Sequence, residues 1–302
     1  MIVVYGSVNI DLIGHAPRLM RPGETVLGTA LEIAPGGKGA NQALAASRAG
    51  ADVRMIGCVG HDDFAGRALE LLLEAGVDLS HVRRMDRHTG TALIVVDAAG
   101  ENMITVLPGA NERLGAAALE AAGIGPEDTL LVQLETPLEG VVSAAVTARE
   151  KGARVIANLA PHAQVPEPLL QAASVLVMNE TELAGTLAML GASAGTPEIG
   201  LTLLARRFET VAVATLGANG AVAVAPDGAV TAVAGCVIAP VDTTGAGDTF
   251  VGYLASGLAE GRALADALGR ANAAAALACL AHGAQPAIPD GSAVDAFIGR
   301  QA

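Results

Sequence analysis

The chain is 302 residues long and 52% hydrophobic, with 31 acidic against 18 basic residues and a formal net charge of −13. This composition supports a large core and excludes a disordered chain, and the length fits two average domains or one large α/β domain. An acidic surface repels phosphate backbones and anionic membranes, so neither nucleic acid nor a membrane is expected as a partner.

The cysteines and the first residues indicate the compartment. Cys58, Cys236 and Cys279 are far apart in the sequence, so they predict neither a disulfide framework nor a zinc site. The first five residues have the character of a β-strand and lack the basic and apolar regions of a signal peptide. No apolar run approaches the roughly 20 residues that span a bilayer. We expect a cytoplasmic protein.

Short β-rich runs alternate with longer segments of helical character along most of the chain. The predicted strands are residues 2–5, 53–56, 129–133, 153–157, 175–177 and 210–215. The predicted helices are residues 41–49, 63–74, 138–151, 180–190, 248–258, 263–281 and 292–299. This alternation predicts an α/β fold of three layers, with helices on both faces of a mostly parallel central sheet.

Two segments, 11–35 and 89–108, interrupt the alternation with strands and turns. In the second, two β-rich runs flank Ala98-Ala99-Gly100-Glu101, which is typical of a hairpin. The two segments could pair into a small separate sheet and form a lid over a site at the strand ends, or they could be an ordinary edge hairpin. We expect a single domain over residues 1–302 that carries them as insertions.

The most informative motif is Asp242-Thr243-Thr244-Gly245-Ala246-Gly247-Asp248, where small residues give way to a helical pattern. The two glycines allow the backbone to approach a ligand closely. The free N–H groups of the following helix would make the loop an anion site suited to a phosphoryl group. Asp248 would either cap that helix or act as a general base, and the motif alone leaves both roles open.

Two further motifs also join a strand or loop to a helix. Gly36-Gly37-Lys38-Gly39-Ala40-Asn41 is not a P-loop, because the G-x-x-x-x-G-K-[ST] pattern is absent, but it could hold a hydroxylated ligand. Asn9 and Asp11 follow the first strand at alternate positions and would project from one side. A plain glycine turn and turn-forming Asx residues are the alternatives for these two motifs.

Taken in this order, the motifs resemble those of the ribokinase-like (PfkB) carbohydrate kinases, and the resemblance runs nearly end to end. It implies a ribokinase-like three-layer fold with a β lid that also forms a dimer contact. It implies transfer of the ATP γ-phosphoryl group to a sugar hydroxyl, with D-ribose to D-ribose 5-phosphate favoured. Another neutral sugar, a nucleoside, and an inactive sugar-binding sensor are the alternatives.

The resemblance also assigns roles to individual residues. Asp248 would be the catalytic base, and the backbone N–H groups of Gly245, Ala246 and Gly247 would stabilise the transferring phosphoryl group. The sugar pocket would be formed by Asn9, Asp11, Gly37, Lys38, Asn41, Glu135 and Asp248. The ATP contacts would be Asn179, Thr215, Gly217, Gly220, Gly247 and Asn272. The lid residues over the sugar would be Ala92, Ile94 and Val106.

Two metal ions are implied by the same resemblance. Glu182 would support Mg²⁺ through water. A monovalent cation, K⁺, would lie among Asp242, Thr244, Ala278, Ala281 and Gly283. The chain departs from the family pattern at Ala287, where the family offers a serine beside this K⁺ site, although backbone carbonyls could still bind the ion. It departs again at Leu159 in Asn158-Leu159-Ala160-Pro161 and at Tyr253 after Gly252.

Overall fold

The computed structural model describes residues 1–301. Its strands are β1 (Ile2–Tyr5), β2 (Asn9–His15), β3 (Ala30–Gly36), β4 (Val53–Val59), β5 (Asp78–Arg84), β6 (Gly90–Val96), β7 (Asn102–Leu107), β8 (Thr129–Val132), β9 (Arg154–Asn158), β10 (Val175–Asn179), β11 (Val211–Thr215), β12 (Ala221–Val224) and β13 (Val230–Val233). Its α-helices are α1 (Lys38–Arg48), α2 (Asp63–Glu74), α3 (Ala117–Ala122), α4 (Leu138–Glu150), α5 (Glu167–Ala172), α6 (Glu180–Met189), α7 (Pro197–Phe208), α8 (Ala246–Ala259), α9 (Leu264–Ala278) and α10 (Gly291–Gln301).

A nine-stranded sheet forms the centre, in the order β13-β12-β11-β10-β9-β8-β1-β4-β5. Its strands pair in parallel from β11 to β5, and β12 and β13 continue it as antiparallel edge strands. Side chains of β1 alternate between two cores, with Val3 and Tyr5 in one and Ile2 and Val4 in the other. Helices therefore cover both faces, which explains why the central strands are continuous apolar runs.

The two strand-rich segments form a second sheet of four strands, in the order β3-β2-β6-β7. Strand β2 pairs antiparallel with β3 and parallel with β6, and β7 closes the sheet as an antiparallel hairpin with β6. Large apolar side chains of this sheet remain exposed, namely Leu31, Ile33, Leu93, Met103, Ile104, Val106 and Leu107. The prediction of a small separate sheet is confirmed.

The predicted elements agree with the structure where the apolar pattern is strong. Helix α2 has the predicted bounds, whereas α1 begins three residues earlier than predicted and α9 ends at Ala278 rather than at residue 281. Strand β5 was not predicted, because it is a polar edge strand whose residues are partly exposed. The short helices α3 and α5 were not predicted either, since six residues give no clear period.

None of the helices within residues 1–301 has the length and apolar character needed to cross a bilayer.

Candidate active site

Strand β2 of the small sheet carries two polar side chains, Asn9 and Asp11. Asn9 is buried, and its side-chain oxygen accepts a hydrogen bond of 2.8 Å from the Asn111 amide. The Asp11 carboxylate lies against Gly36, where any Cβ would come within 2.7 Å of the carboxyl carbon. Gly37 has φ +89°, and a Cβ there would meet the Asn9 backbone nitrogen at 2.7 Å. The diglycine is therefore required for the close approach of β2 and α1.

Glu135 joins the end of β8 to the start of α1. Its Oε2 accepts hydrogen bonds from the Lys38 backbone N–H at 3.0 Å and from the Ser7 hydroxyl at 2.6 Å. The Gly39 N–H in turn donates to the Ser7 hydroxyl at 3.2 Å. A carboxylate at this point neutralises the positive end of the α1 dipole. One oxygen of Glu135 is thus used within the protein, and Oε1 makes no side-chain hydrogen bond in the described residues.

Asp248 lies inside the first turn of α8, and the residue before that helix is Gly245. The alternative that Asp248 caps the helix is therefore wrong. Its carboxylate instead accepts hydrogen bonds from two amide side chains of α1, Asn41 to Oδ2 at 2.9 Å and Gln42 to Oδ1 at 2.8 Å. Asp248 is only 7% exposed, so this carboxylate is fixed on both oxygens within a largely dry site.

The glycine loop before α8 keeps the helix N-terminus open. Gly245 has φ +75°, the left-handed region that favours glycine, and a Cβ there would meet Ala284 at 2.9 Å. No side chain of residues 1–301 caps α8. Gly247 lines the wall of two neighbouring cavities, and the space where its Cβ would lie is open. The Ala246 N–H donates to the Thr243 carbonyl at 3.3 Å, whereas the N–H groups of Gly247 and Asp248 have no acceptor in the described residues and are available to an external anion.

The charges of this region are strongly coupled. Burial, together with the negative charges of Glu135 and Asp248, raises the pKa of Asp11 to about 7. The negative charge of Asp248 raises the pKa of Lys38, with Glu135 and Glu182 acting in the same direction and burial opposing them. Lys38 is therefore the cation that balances this acidic group.

A cavity of about 130 Å³ connects Asp248 to the start of α6. It is lined by Lys38, Asn158, Ala160, Val177, Met178, Asn179, Glu182, Thr215, Gly245, Gly247, Asp248 and Val251. Asn179 and Glu182 form a capping box, in which Asn179 Oδ1 accepts from the Glu182 N–H at 2.8 Å and Glu182 Oε2 accepts from the Asn179 N–H at 2.9 Å. Burial raises the pKa of Glu182. Both residues thus have a structural role beside the one predicted for them.

A larger cavity of about 490 Å³ adjoins the same glycine loop on its other side. It is lined by Thr215, Gly217, Ala218, Gly220, Gly235, Cys236, Val237, Ile238, Pro240, Thr243, Ala246, Gly247, Phe250, Asn272, Ala275, Ala276 and Cys279. The predicted ATP contacts Thr215, Gly217, Gly220, Gly247 and Asn272 all lie in this wall, and Asn179 lies in the smaller cavity next to it. The Asn272 amide is engaged within the protein, since it donates to the Ala234 carbonyl at 2.9 Å.

Asp242 connects two segments beside the loop. Its Oδ1 accepts from the Thr244 N–H and its Oδ2 from the Gly283 N–H, each at 2.9 Å. Burial alone would raise the pKa of Asp242, but these hydrogen bonds outweigh it and lower the pKa. Among the predicted cation ligands, Ala278 ends α9, and its carbonyl accepts a long bond of 3.4 Å from the Ala281 N–H.

Several polar residues of the site were missed by the sequence reasoning. Ser7, Gln42 and Asn111 are all buried, and each bonds to a predicted site residue. Gln42 directly follows the glycine motif, and Ser7 lies between the first strand and Asn9, so proximity to the motifs was a usable signal for these two. Asn111 lies far from any motif in the sequence, and only the fold brings it to Asn9.

The site and the fold together are those of a kinase for small hydroxylated substrates. The model of the pfkB family carbohydrate kinases matches residues 1–291, and the chain belongs to this family. It is 36% identical to the ribokinase of Haemophilus influenzae over 295 residues, which cover 95% of each chain.

Solved structures give the same relationship. The fold superposes on the ribokinase of Thermotoga maritima with a TM-score of 0.92 at 31% identity, covering 99% of both chains. It superposes on an Arabidopsis thaliana ribokinase, solved with ribose and ATP, with a TM-score of 0.88 at 28% identity and 98% coverage of both. The three-layer fold and the carbohydrate kinase class expected from the sequence are confirmed.

Proposed function

We propose that this protein is a cytoplasmic ATP-dependent kinase that converts D-ribose to D-ribose 5-phosphate. One observation carries the proposal: a buried carboxylate, Asp248, lies within one turn of an uncapped helix start, and both face the same cavity. Phosphoryl transfer needs a base at the acceptor hydroxyl and hydrogen-bond donors at the phosphate. Relatives named as ribokinases, aligned over nearly the whole chain, support ribose as the acceptor.

In the proposed reaction, Asp248 takes the proton of the sugar hydroxyl as that oxygen attacks the γ-phosphorus of ATP. The bond between this phosphorus and the bridging oxygen breaks, and ADP leaves with the bond electrons. The N–H groups of Gly245, Ala246 and Gly247 stabilise the charge on the phosphoryl oxygens. Lys38 lines the same cavity as Asp248 and adds a positive charge near it.

The sugar pocket has a free hydrogen-bonding group where the proposal requires one. Asn41 uses its amide nitrogen to bond Asp248, and its Oδ1 is buried without a partner in residues 1–301. A buried, unpaired amide oxygen is costly, and a sugar hydroxyl would pair with it. Asn9, Asp11, Gly37, Lys38 and Glu135 are the further residues that we propose to contact the sugar.

The acidic groups favour a neutral substrate. Asp11, Glu135 and Asp248 are close enough to raise the pKa of Asp11, and a second phosphate on the substrate would add to this repulsion. The hydroxyl groups of a neutral sugar would instead donate hydrogen bonds to these carboxylates.

The residues present fit the two metal ions that the proposal includes. No cluster of three or more His, Cys, Asp or Glu side chains able to hold a metal occurs in the described residues, so Mg²⁺ would rest mainly on the ATP phosphates and water. Glu182 would hold one of those waters. For K⁺, Asp242 draws the segments at Thr244 and Gly283 together, and the carbonyls of Ala278 and Ala281 would complete the site. Bound Mg²⁺ supplies charge neutralisation at the phosphates.

The substrate is tested by ADP release from Mg-ATP with a panel of neutral sugars and nucleosides, with and without K⁺. We expect the highest kcat/KM with D-ribose and an increase with K⁺. Faster turnover of another sugar would keep the mechanism and replace the substrate. Sugar binding without any ADP release would move the protein to the class of sugar-binding sensors.

We also propose that the four-stranded sheet is a lid over the sugar and a homodimer contact. Asp11, Ala92 and Val106 are register partners across β2, β6 and β7 and so share one face, and Ile94 follows on that face. Exposed apolar side chains on the sheet, such as Leu31 and Leu93, suit a second copy of the chain. Leu93→Asp should shift the mass measured by light scattering from dimer to monomer, whereas Ile199→Asp on α7 should not.

A further inference from the structure

A chain of buried amides leads from the central sheet to Asp248. Gln42 on α1 is fully buried, and its amide nitrogen donates to Asp248 Oδ1 at 2.8 Å and to Asn158 Oδ1 at 2.9 Å. Its Oε1 accepts from the Gln133 amide at 2.7 Å. Both hydrogens and the oxygen of Gln42 are thus used, so this side chain has no other arrangement that keeps its bonds.

The orientation of each amide in this hydrogen-bonded series is set by the groups at the two ends of the series. An ionised carboxylate can only accept, so Gln42 must turn its nitrogen to Asp248. The Asn158 nitrogen donates to the Val177 carbonyl at 3.1 Å, which turns the Asn158 oxygen to Gln42. The Gln42 oxygen then faces Gln133, whose amide lies against Gly6. A reversal of Gln42 would place oxygen against oxygen at both Asp248 and Asn158.

We propose that Gln42, held by Gln133 and Asn158, is a positioning residue that orients the Asp248 carboxylate for proton transfer. Asn41 binds the other carboxylate oxygen, but its own Oδ1 is buried without a partner in residues 1–301, and we have proposed that this oxygen binds the sugar. Gln42 has no unpaired atom, so it has no group left to bind the sugar and acts only through Asp248. A neutral amide fixes the carboxylate plane and stabilises the anion without supplying a proton.

The effect on turnover should be separable from packing. Gln42→Met keeps the length of the side chain and removes both donors. We expect kcat to fall by about 10–100-fold, within the range of a misplaced base, with KM for sugar and ATP within about twofold. The acid limb of the kcat–pH profile should move to higher pH, because the carboxylate loses a hydrogen bond to its charged form. Lys38, Asp11 and Glu182 are the other charged groups that face Asp248, and the variant retains all three.

Gln133→Met supplies the second variant, since it removes the bond that holds Gln42 while leaving Gln42 in place. It should produce the same two changes to a smaller degree. In the double variant, kcat should be no lower than in Gln42→Met alone within about twofold, because the two residues act in series. Ser256→Ala is the matched control: Ser256 is buried on the same helix as Asp248 but bonds Glu260, and its loss should leave the pH profile unchanged.

The inference rests on the proposed function in two respects, the acceptor sugar and the role of Asp248 as the base. If the unmodified protein does not act on ribose, the proposed substrate fails, and the profile is measured with the sugar that does release ADP. Carbon-13 NMR of the Asp248 carboxyl in the ligand-free protein needs no turnover, and it should show a higher titration midpoint in Gln42→Met than in the unmodified protein. Scaled pH profiles that coincide with the unmodified profile, an unchanged Asp248 midpoint, or additive effects of the two variants would each overturn the role of Gln42.

Discussion

Helices α1 and α8 begin in the same way, yet only one of the two starts is free. Each follows a glycine with positive φ, +89° at Gly37 and +75° at Gly245. At α1, Glu135 accepts from the first N–H, and the Ser7 hydroxyl accepts from the next. At α8, no side chain of the described residues takes the corresponding position.

The difference shows how one sequence pattern serves two purposes. Both motifs are glycine-rich and both precede a helix, so both could bind an anion. The carboxylate of Glu135 already binds the start of α1, and this helix start then holds Lys38 and Asn41 in place. The start of α8 has no such carboxylate, and its N–H groups at Gly247 and Asp248 are the donors that we propose for the phosphoryl group. The two helix starts therefore differ in whether a carboxylate lies against them, and not in their glycines.

The largest effect should follow the loss of the base beside the free helix start. Asp248→Asn keeps the size of the side chain and can still accept from one amide, but it cannot take a proton. We expect kcat to fall by about 10²–10⁴-fold or more, with sugar affinity nearly retained. Coupled ADP release gives kcat, and calorimetric titration gives the sugar Kd. Turnover within about tenfold of the unmodified protein would remove Asp248 as the base.

The next prediction compares Gly245 and Gly247, the two glycines at the start of α8. Gly245→Ala places a Cβ in the left-handed region and against Ala284, so it should cost about 1–2 kcal/mol of unfolding free energy and displace the loop. Gly247→Ala meets open space and should leave the unfolding free energy within about 0.5 kcal/mol. Urea unfolding gives both values. Equal losses from the two variants would contradict the strain assigned to Gly245.

At the occupied start, the carboxylate itself can be removed. Glu135→Gln retains an acceptor oxygen for Ser7 and Lys38 but loses the charge at the end of the α1 dipole. We expect an unfolding free energy lower by about 1 kcal/mol and weaker sugar binding. Glu70→Gln, which changes an exposed acid in the middle of α2 and away from both helix ends, is the control and should change neither. Stability and sugar Kd that match the unmodified protein would show that α1 needs no such anion.

The last effect concerns Asp11, and it depends on pH and vanishes at low pH. Its pKa of about 7 in the folded protein lies above the value of about 3.9 expected in the unfolded chain, so folding binds a proton in this window. The favourable contribution is complete below about pH 4 and is lost as the pH rises through 7. Asp11→Asn should therefore raise the unfolding free energy by about 1–2 kcal/mol at pH 8, after allowance for partial exposure, and by almost nothing at pH 4.

The same group should make sugar binding dependent on pH. Ionised Asp11 accepts hydrogen bonds from hydroxyl groups more strongly than its protonated form, so the sugar Kd should fall as the pH rises from 6 to 8. In Asp11→Asn, sugar binding should be weaker, and its Kd should be nearly independent of pH over this range. A flat profile in the unmodified protein would mean that Asp11 does not titrate in this window or does not contact the sugar.

The sequence was sufficient for the general architecture. The alternation of apolar strands and helices gave the central sheet, and helix α2 was predicted with its observed bounds. It could not give β5, whose polar residues resemble a loop, nor the order of the strands, which depends on which runs pair across the sheet.

The motifs of the site could be predicted from the sequence, but the hydrogen bonds that connect them could not. Asp248 and the glycines stand out from their spacing and resemblance. The bond from Glu135 to the start of α1 joins residues 97 positions apart, and that from Gln42 to Asp248 joins residues 206 positions apart. Neither pair leaves a local pattern, so only the fold could show that Asp248 does not cap α8.

Hydrogen exchange at the two helix starts tests this account most directly. The backbone amides of residues 246–248 and 38–40 are followed by NMR, with and without Mg-ADP, aluminium fluoride and ribose as a mimic of the transferring phosphoryl group. We predict a strong gain in protection at Gly247 and Asp248 and little change at Lys38, whose N–H is already bonded to Glu135. Equal protection at both starts, or none at α8, would contradict the assignment of α8 as the phosphoryl site.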